Sequence, residues 1–296
     1  MDIWCYLNGE ILFLEEARVA INDRGALYGD GLFETLRIYE GQPFLLESHL
    51  KRMQEGARTL GMNMPFSPTE VERAVNGIIA RNEVKEGSLR ITLTRGVGLR
   101  GLWPGEEEGQ LPTFFITTAS SLPYEEHHYQ KGMSAALVSF PLNEYSPQAG
   151  LKTLNFLDYI MGRREAQERG FDEGIFLNQK RYLAEGSVSN LFLIQEGVLL
   201  TPPLEAGILP GITREVVLKL ASSFMEVREE NISPLQLKKA DELFLTNSLM
   251  EIMPMVQVEG QQVASGRPGP ITSRLHRLYS EYVKENCNYS GILEKE

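Results

Sequence analysis

Turn residues keep the apolar segments of this chain short, and this pattern constrains its fold more than any other feature. Asn8-Gly9 separates the apolar runs 3–7 and 11–14, which predicts a β-hairpin. Ser67-Pro68-Thr69-Glu70 combines a helix N-cap, a proline in the first turn and a capping glutamate, which predicts a helix. Short strands and helices mix in this way along the chain without a regular βαβ alternation. We therefore predict a mixed α/β fold in which helices and strands are not regularly alternated, that is, the α+β class.

The chain length predicts two domains. Its 296 residues exceed what one hydrophobic core usually holds. The polar segment 121–132, SLPYEEHHYQKG, contains proline and glycine and is the predicted connector. Residues 1–120 would form an N-terminal α/β domain, and 133–296 would form a C-terminal α/β domain that carries Lys152.

Charge and cysteine content exclude several classes of protein. The formal net charge of -11 argues against nucleic-acid binding and against adsorption to an anionic membrane. No apolar run is long enough to cross a bilayer. Cys5 and Cys287 form no CxxC pair, and the first residues, MDIWCYLNGE, do not resemble a signal peptide. We expect a cytoplasmic protein without a disulfide framework or a zinc site.

Gly211-Ile212-Thr213 directly precedes an apolar-periodic segment that is predicted to be a helix. Backbone N–H groups and the positive end of the helix dipole would face a ligand at this turn, and a glycine allows close approach. The motif indicates a site for an anion the size of phosphate. A plain capped helix explains the same residues and stays open as the alternative.

Lys152 and Glu185 are charged residues in contexts that suggest chemistry. Lys152 lies between Leu151 and Leu154 just before a predicted helix, where partial desolvation would favour a neutral, nucleophilic amine. A lysine that extends its amine into solvent at a helix start is the alternative. Glu185, in AEGSVSNLFLI, either points to solvent at a turn or points inward to a cationic or N–H partner.

His49 and Arg52 lie three residues apart in SHLKRM, on one face of a predicted helix. The guanidinium of Arg52 suits a phosphate group, whereas His49 is expected to order local structure. The four histidines show no spacing typical of metal ligands, so no metal site is expected.

Taken together, these residues resemble the class IV aminotransferases, which are pyridoxal-phosphate enzymes of fold type IV. The resemblance runs through NDRGALYGDGLFETLR, HLKR, TRGVGLRG, LKTLNFL, REAQERGFDEGIFLN, EGSVSNLF, ILPGITR and DELFLTNSLMEIMP. The family includes branched-chain aminotransferases, D-amino-acid aminotransferases and 4-amino-4-deoxychorismate lyases. Because these motifs cover nearly the whole chain, it is identified as a member.

The resemblance implies pyridoxal 5'-phosphate as the cofactor, bound where the two domains meet, and a homodimer. Lys152 would hold the cofactor as a Schiff base and move the proton at the substrate carbon that bears the amine. Glu185 would keep the pyridine nitrogen protonated. The other implied cofactor contacts are Arg52, Leu209, Ile212, Thr213 and Ser248.

Substrate contacts are expected from the strand that holds Phe33 and Arg37 and from a loop, 97–103, that holds Arg100. Phe33 and Arg37 share a face of an extended strand, so Arg37 would either clamp a substrate carboxylate or form a structural salt bridge. Arg90 and Arg100 are the other candidates for that carboxylate. The turn residues Ser248 and Leu249 match positions close to the substrate.

Departures from the family motifs separate its members only in part. Branched-chain enzymes carry a tyrosine where this chain has Phe156, and the carboxylate-binding His and Tyr of D-amino-acid enzymes are replaced by Leu102 and Phe33. We expect an aminotransferase that moves an amino group between an amino acid, of D- or branched-chain type, and a 2-oxo acid. A 4-amino-4-deoxychorismate lyase that releases pyruvate and para-aminobenzoate is the alternative. A catalytically silent cofactor-binding protein is a further one.

Overall fold

The structure is a computed structural model that describes residues 3–98, 101–102 and 111–287. The chain divides into two compact units. The first comprises the described residues up to Leu122, the segment Leu151–Asn155 and residues 285–287. The second comprises Pro123–Gly150 and Phe156–Lys284. Strands and helices occur in both units, so the α/β (α+β) prediction is confirmed.

The first unit contains a six-stranded antiparallel sheet in the spatial order β2-β1-β6-β5-β3-β4. Its strands are β1 Trp4–Leu7, β2 Glu10–Phe13, β3 Gly31–Tyr39, β4 Gln42–Pro43, β5 Gly87–Thr94 and β6 Thr113–Ala119. Its helices are α1 Arg24–Tyr28, α2 Leu46–Thr59 and α3 Pro68–Arg81.

Local signals explain how several of these elements begin and end. The turn between β1 and β2 needs positive φ angles, and Asn8 (50°) and Gly9 (105°) supply them, which confirms the predicted hairpin. Ser67 and Glu70 form the predicted capping box at the start of α3. One face of the sheet packs on α2 and α3 in a core that includes Leu36, Met53 and Ile78.

The second unit is built on a nine-stranded sheet. Its strands are β7 Met133–Leu137, β8 Glu173–Leu177, β9 Leu183–Gly186, β10 Asn190–Gln195, β11 Val198–Thr201, β12 Glu226–Glu229, β13 Glu242–Asn247, β14 Glu251–Val258 and β15 Gln261–Gln262. Its helices are α4 Glu126–Lys131, α5 Leu157–Glu168, α6 Ile212–Ala221 and α7 Pro234–Leu237. A short 3-10 helix spans Leu204–Ala206, and α8, Pro270–Cys287, is the last element described.

Part of this sheet closes on itself. Strands β10, β13, β14, β7, β8 and β9 are paired in that order, and β9 pairs again with β10 through Glu185 and Asn190. The closed circuit removes free strand edges at this point. It also places Glu185 at the junction of the first and last strands of the circuit.

The two compact units differ from the predicted domain bounds in two places. The segment 121–132, predicted to be the connector, contains helix α4, which Glu125 caps within the second unit. Lys152 does not belong to the C-terminal unit, because its segment pairs with β3 of the first unit. The Phe33 N–H donates to the Lys152 carbonyl at 3.0 Å, and the Leu154 N–H donates to the Gly31 carbonyl at 2.9 Å.

Within the described residues, no helix combines the length and the apolar character needed to span a membrane.

Candidate active site

Lys152 lies beside an aromatic ring in the first unit. Its Nζ atom is 4.6 Å from the centroid of the Phe33 ring, and its side chain is half-buried. The guanidinium carbon of Arg90 lies 3.8 Å from the same centroid. Phe33 is buried, so two cationic side chains share one apolar surface. The Lys152 side chain is therefore not simply extended into solvent.

Arg52 is held by a buried carboxylate rather than pointing freely from helix α2. Its Nε donates to Oε1 of Glu34 at 2.8 Å and its Nη2 donates to Oε2 at 2.6 Å. His49 Nδ1 lies 2.7 Å from the same Oε2. This two-point pairing fixes the plane of the Arg52 guanidinium. His49 orders the cluster, as predicted.

The protonation states within this cluster follow from burial and pairing. Burial alone would raise the pKa of the Glu34 carboxyl, but the hydrogen bonds from Arg52 and His49 outweigh it and lower the pKa to about 2. Burial lowers the pKa of His49 despite its hydrogen bond to Glu34. At neutral pH, Glu34 is therefore ionised, His49 is neutral, and the Nδ1–H of His49 donates to the carboxylate.

Glu185 points inward in the second unit, which resolves the alternative left open by the sequence. The residue is 4% exposed. Its Oε1 accepts a hydrogen bond from the Tyr159 hydroxyl at 2.8 Å. Its Oε2 accepts one from the Leu209 N–H at 3.0 Å and a longer one from Asn190 Nδ2 at 3.4 Å. The carboxylate is thus fixed by side chains and backbone from three separate parts of the chain.

Asn190 connects Glu185 to the start of helix α6. Its Nδ2 also donates to the Leu209 carbonyl at 2.8 Å. Gly211, the N-cap of α6, packs so closely on Asn190 that a Cβ atom there would clash with Oδ1. Among the described residues, no side chain caps this helix start, and Thr213 in its first turn is buried. Its N–H groups are therefore oriented as an anion site requires.

Two buried hydroxyl groups lie next to Asn190. Ser189 precedes it in the chain, and Thr246 is its direct partner across β10 and β13. Neither Ser189 Oγ nor Thr246 Oγ1 has a hydrogen-bond partner within the part of the chain that the structure describes. Buried hydroxyls normally find a partner, so each of these two groups could donate to a polar ligand.

The turn after β13 holds Ser248 and Leu249, both half-buried. Asn247 Oδ1 accepts hydrogen bonds from the N–H groups of Leu249 and Met250, each at 2.8 Å. Asn247 Nδ2 donates to the Val188 carbonyl at 3.0 Å. The turn is therefore tied to the loop between β9 and β10.

The three arginines that are candidates for binding the substrate carboxylate lie in different surroundings or outside the described residues. Arg37 Nη2 lies 3.6 Å from Glu86 Oε2, and the guanidinium carbon lies 4.9 Å from the Tyr39 ring centroid. The structural salt bridge, one of the two alternatives for Arg37, is thus present. Arg100 lies outside the described residues. Arg90 contacts Phe33 next to Lys152.

Sequence reasoning did not single out Tyr159, Asn190 or Glu34. Tyr159 could have been found, because it follows the singled-out Phe156 by three residues, a spacing that lets the two rings stack at the start of a helix. Glu34 could have been found from its position on β3, on the same side as the core residues Leu36 and Ile38. Across the described residues, no group of three His, Cys, Asp or Glu side chains is placed to hold a metal ion.

Comparison with known proteins decides the family. The family described as amino-transferase class IV matches residues 31–258. The chain belongs to the class IV aminotransferases. These are pyridoxal-phosphate-dependent enzymes.

Relatives within the class IV aminotransferases cover almost the whole chain. A provisionally named branched-chain-amino-acid aminotransferase of Methanocaldococcus jannaschii is 34% identical over 93% of this chain and 95% of its own. A D-alanine aminotransferase of Listeria monocytogenes is 30% identical over 95% of this chain and 96% of its own.

Solved structures of two different enzymes of the family are similar to this one. The branched-chain amino acid aminotransferase of Escherichia coli superposes with a TM-score of 0.91 at 29% identity, covering 100% of this chain and 99% of that one. The 4-amino-4-deoxychorismate lyase of Pseudomonas aeruginosa superposes with a TM-score of 0.82 at 30% identity, covering 96% of this chain and 100% of that one.

Proposed function

We propose that this chain is an aminotransferase that uses pyridoxal 5'-phosphate to move an amino group between an amino acid and a 2-oxo acid. The amino acid would be of D- or branched-chain type, as in the two relatives. The observation that supports this most is Glu185, a buried carboxylate fixed by Tyr159, Leu209 and Asn190 beside the start of helix α6. A buried carboxylate held in this way suits the protonated nitrogen of a pyridine ring.

The residues present fit the cofactor. The buried hydroxyl of Thr246, which lies opposite Asn190 and has no partner in the described part of the chain, suits a polar ligand there, and the buried Ser189 hydroxyl is likewise without a partner in that part. The N–H groups at the start of α6 suit its phosphate. The residues proposed to hold the cofactor are Arg52, Lys152, Glu185, Leu209, Ile212, Thr213 and Ser248. Leu209 contacts Glu185 through its backbone N–H, so its side chain is available to pack against the ring.

When bound, pyridoxal phosphate supplies an electron sink for the charge left when the substrate carbon loses a proton. Lys152 would hold the cofactor through Nζ, and its amine would take and return the proton at the substrate carbon. Glu185, held at both oxygens, would keep a proton on the ring nitrogen. Arg52, fixed by Glu34, binds phosphate with its orientation already set.

The substrate is proposed to contact Phe33, Ser248 and Leu249. Arg37, Arg90 and Arg100 are the candidates for its carboxylate. Arg90 is supported by its position over the Phe33 ring beside Lys152. Arg37 is engaged with Glu86, so its use as a clamp would require that ion pair to be shared or broken.

The second candidate is 4-amino-4-deoxychorismate lyase activity, with release of pyruvate and para-aminobenzoate. The similarity to the Pseudomonas aeruginosa lyase, at 30% identity over 96% of this chain, supports lyase activity as the second candidate. Both reactions use the same lysine and the same electron sink. They differ in which bond is broken afterwards, which depends on how the substrate is oriented.

The test is to supply the holoenzyme with D- and L-amino acids, first alone and then with 2-oxoglutarate, and with 4-amino-4-deoxychorismate in a separate assay. We expect amino acids alone to convert the bound cofactor to pyridoxamine phosphate. Lys152→Ala should lose activity by about a hundredfold or more, while Lys180→Ala, at an exposed lysine, should retain it. Pyruvate release without any response to amino acids would support the lyase instead.

We further propose that the enzyme is a cytoplasmic homodimer. Helix α5 exposes Leu157 (66%), Ile160 (59%) and Met161 (51%), which lie together on one helix face. Contiguous exposed apolar side chains are typical of a surface that another protein covers, and a second copy of this chain is the proposed occupant. Both cysteines are free and buried, which suits a reducing compartment.

A further inference from the structure

Tyr159 occupies a position that the proposed cofactor site leaves unexplained. It lies on helix α5 and donates its hydroxyl to Glu185 Oε1 at 2.8 Å. Its ring stacks on Phe156, with centroids 4.7 Å apart, and meets the Phe176 ring edge-on at 5.6 Å. The ring is thus packed between two aromatic neighbours, with its hydroxyl directed at the carboxylate.

The protonation state of Tyr159 makes it a permanent donor. Burial, and then the negative charge of Glu185, raise its pKa, so the hydroxyl keeps its proton at neutral pH. An O–H donor stabilises the ionised form of a carboxyl group and makes it a weaker base. The Leu209 N–H acts in the same direction on the other oxygen of Glu185.

The neighbouring ring of Phe156 cannot donate a hydrogen bond to Glu185, because it has no hydroxyl. The phenol lies about one helical turn further along, at Tyr159 of α5. Its hydroxyl donates to the carboxylate of Glu185. Phe176 is in turn held by Gly162 of the same helix, where any Cβ atom would clash with its ring. The contact between Tyr159 and Glu185 is therefore built into the packing of α5 on the sheet.

We infer that Tyr159 is a positioning residue, whose hydroxyl holds Glu185 in place and lowers its proton affinity so that the cofactor's ring nitrogen keeps its proton. The inference rests on the proposed function, since it assumes that Glu185 faces that nitrogen. Without the hydroxyl, Glu185 becomes a stronger base and competes for the proton. Tyr159 does this through Glu185, and no contact of its own with the reacting atoms is required.

The test uses Tyr159→Phe, which keeps the ring and its stacking and removes only the hydroxyl. Tyr279→Phe, at a buried tyrosine of helix α8, is the matched control. Wild type and both variants are loaded with pyridoxal phosphate labelled with 15N in its ring. The ring-nitrogen resonance is measured by solid-state NMR, with thermal unfolding to confirm the fold and borohydride reduction with mass spectrometry to confirm attachment at Lys152.

In Tyr159→Phe, we expect the resonance to move toward that of a neutral pyridine and the affinity for pyridoxal phosphate to fall about tenfold. Tyr279→Phe should match wild type in both. A resonance that is unchanged, or that moves toward pyridinium, would overturn the role of Tyr159 and leave the proposed function standing. Wild-type protein that takes up no cofactor at Lys152 would overturn both.

Discussion

At the scale of single residues, the cluster of Glu34, His49 and Arg52 shows how burial and pairing compete. A carboxylate that is 1% exposed should resist ionisation, yet its pKa falls to about 2 because Arg52 and His49 both donate to it. Because the pKa is lower in the folded chain than its ordinary value of 4.5, the pairing stabilises the folded state above pH 4.5 and is lost as the pH falls toward 2.

We predict that Glu34→Gln reduces the free energy of unfolding by about 3 kcal/mol at pH 7, since it removes the charge that Arg52 and His49 stabilise. The gap between wild type and variant should shrink by about 2 kcal/mol between pH 7 and pH 3, as Glu34 in the unfolded wild-type chain takes up a proton. Urea unfolding at a series of pH values measures both quantities.

Glu47→Gln, at an exposed position of helix α2, which carries Arg52 and His49, is the control and should change the unfolding free energy by no more than about 0.5 kcal/mol. A gap between wild type and Glu34→Gln that stays constant from pH 7 to pH 3 would contradict the low pKa of Glu34.

At the scale of elements, glycines at two helix positions serve different purposes. Gly162 of α5 lies against Phe176 so closely that a Cβ atom would clash with the ring. Gly77 of α3 has ordinary space, since a Cβ there would lie 3.5 Å from Ile11 Cδ1. The first glycine lets α5 approach the sheet, whereas the second has no such steric need.

Gly162→Ala is expected to destabilise the protein by roughly 1–3 kcal/mol, because the helix or the Phe176 ring must move. Gly77→Ala, the matched change in α3, is expected to stabilise it by roughly 0.5–1 kcal/mol through higher helix propensity. Thermal unfolding of both variants tests the contrast. If both substitutions shifted the midpoint of thermal unfolding in the same direction, the close packing of α5 on Phe176 would not explain the effect of Gly162→Ala.

For the protein as a whole, the exposed apolar residues Leu157, Ile160 and Met161 of α5 form the proposed dimer interface. We predict that the double variant Leu157→Glu with Ile160→Glu is monomeric, because two carboxylates would have to be buried in the proposed interface. Light scattering after size-exclusion chromatography measures the mass. Gln167→Glu, at an exposed polar position of the same helix, should leave the assembly unchanged. A double variant with the mass of the wild-type assembly would place the interface elsewhere.

Features that depend on a few neighbouring residues could be predicted from the sequence. The hairpin at Asn8-Gly9 and the capping box of α3 follow from backbone angles and hydrogen bonds within a turn. Family membership was also decided at this level, because its motifs are local strings of residues. Strand β14 was not predicted, because Pro254 lies within it and proline is unusual inside a strand.

The groups that lie far apart in the sequence are brought together by the three-dimensional fold. It placed the segment of Lys152 on β3, turned Glu185 inward toward Tyr159, and gave Arg37 an ion pair with Glu86. Each of these residues had two reasonable environments when judged from its neighbours. The choice between them rests on pairing and burial across the fold, and the energies of those contacts exceed any preference that adjacent residues impose.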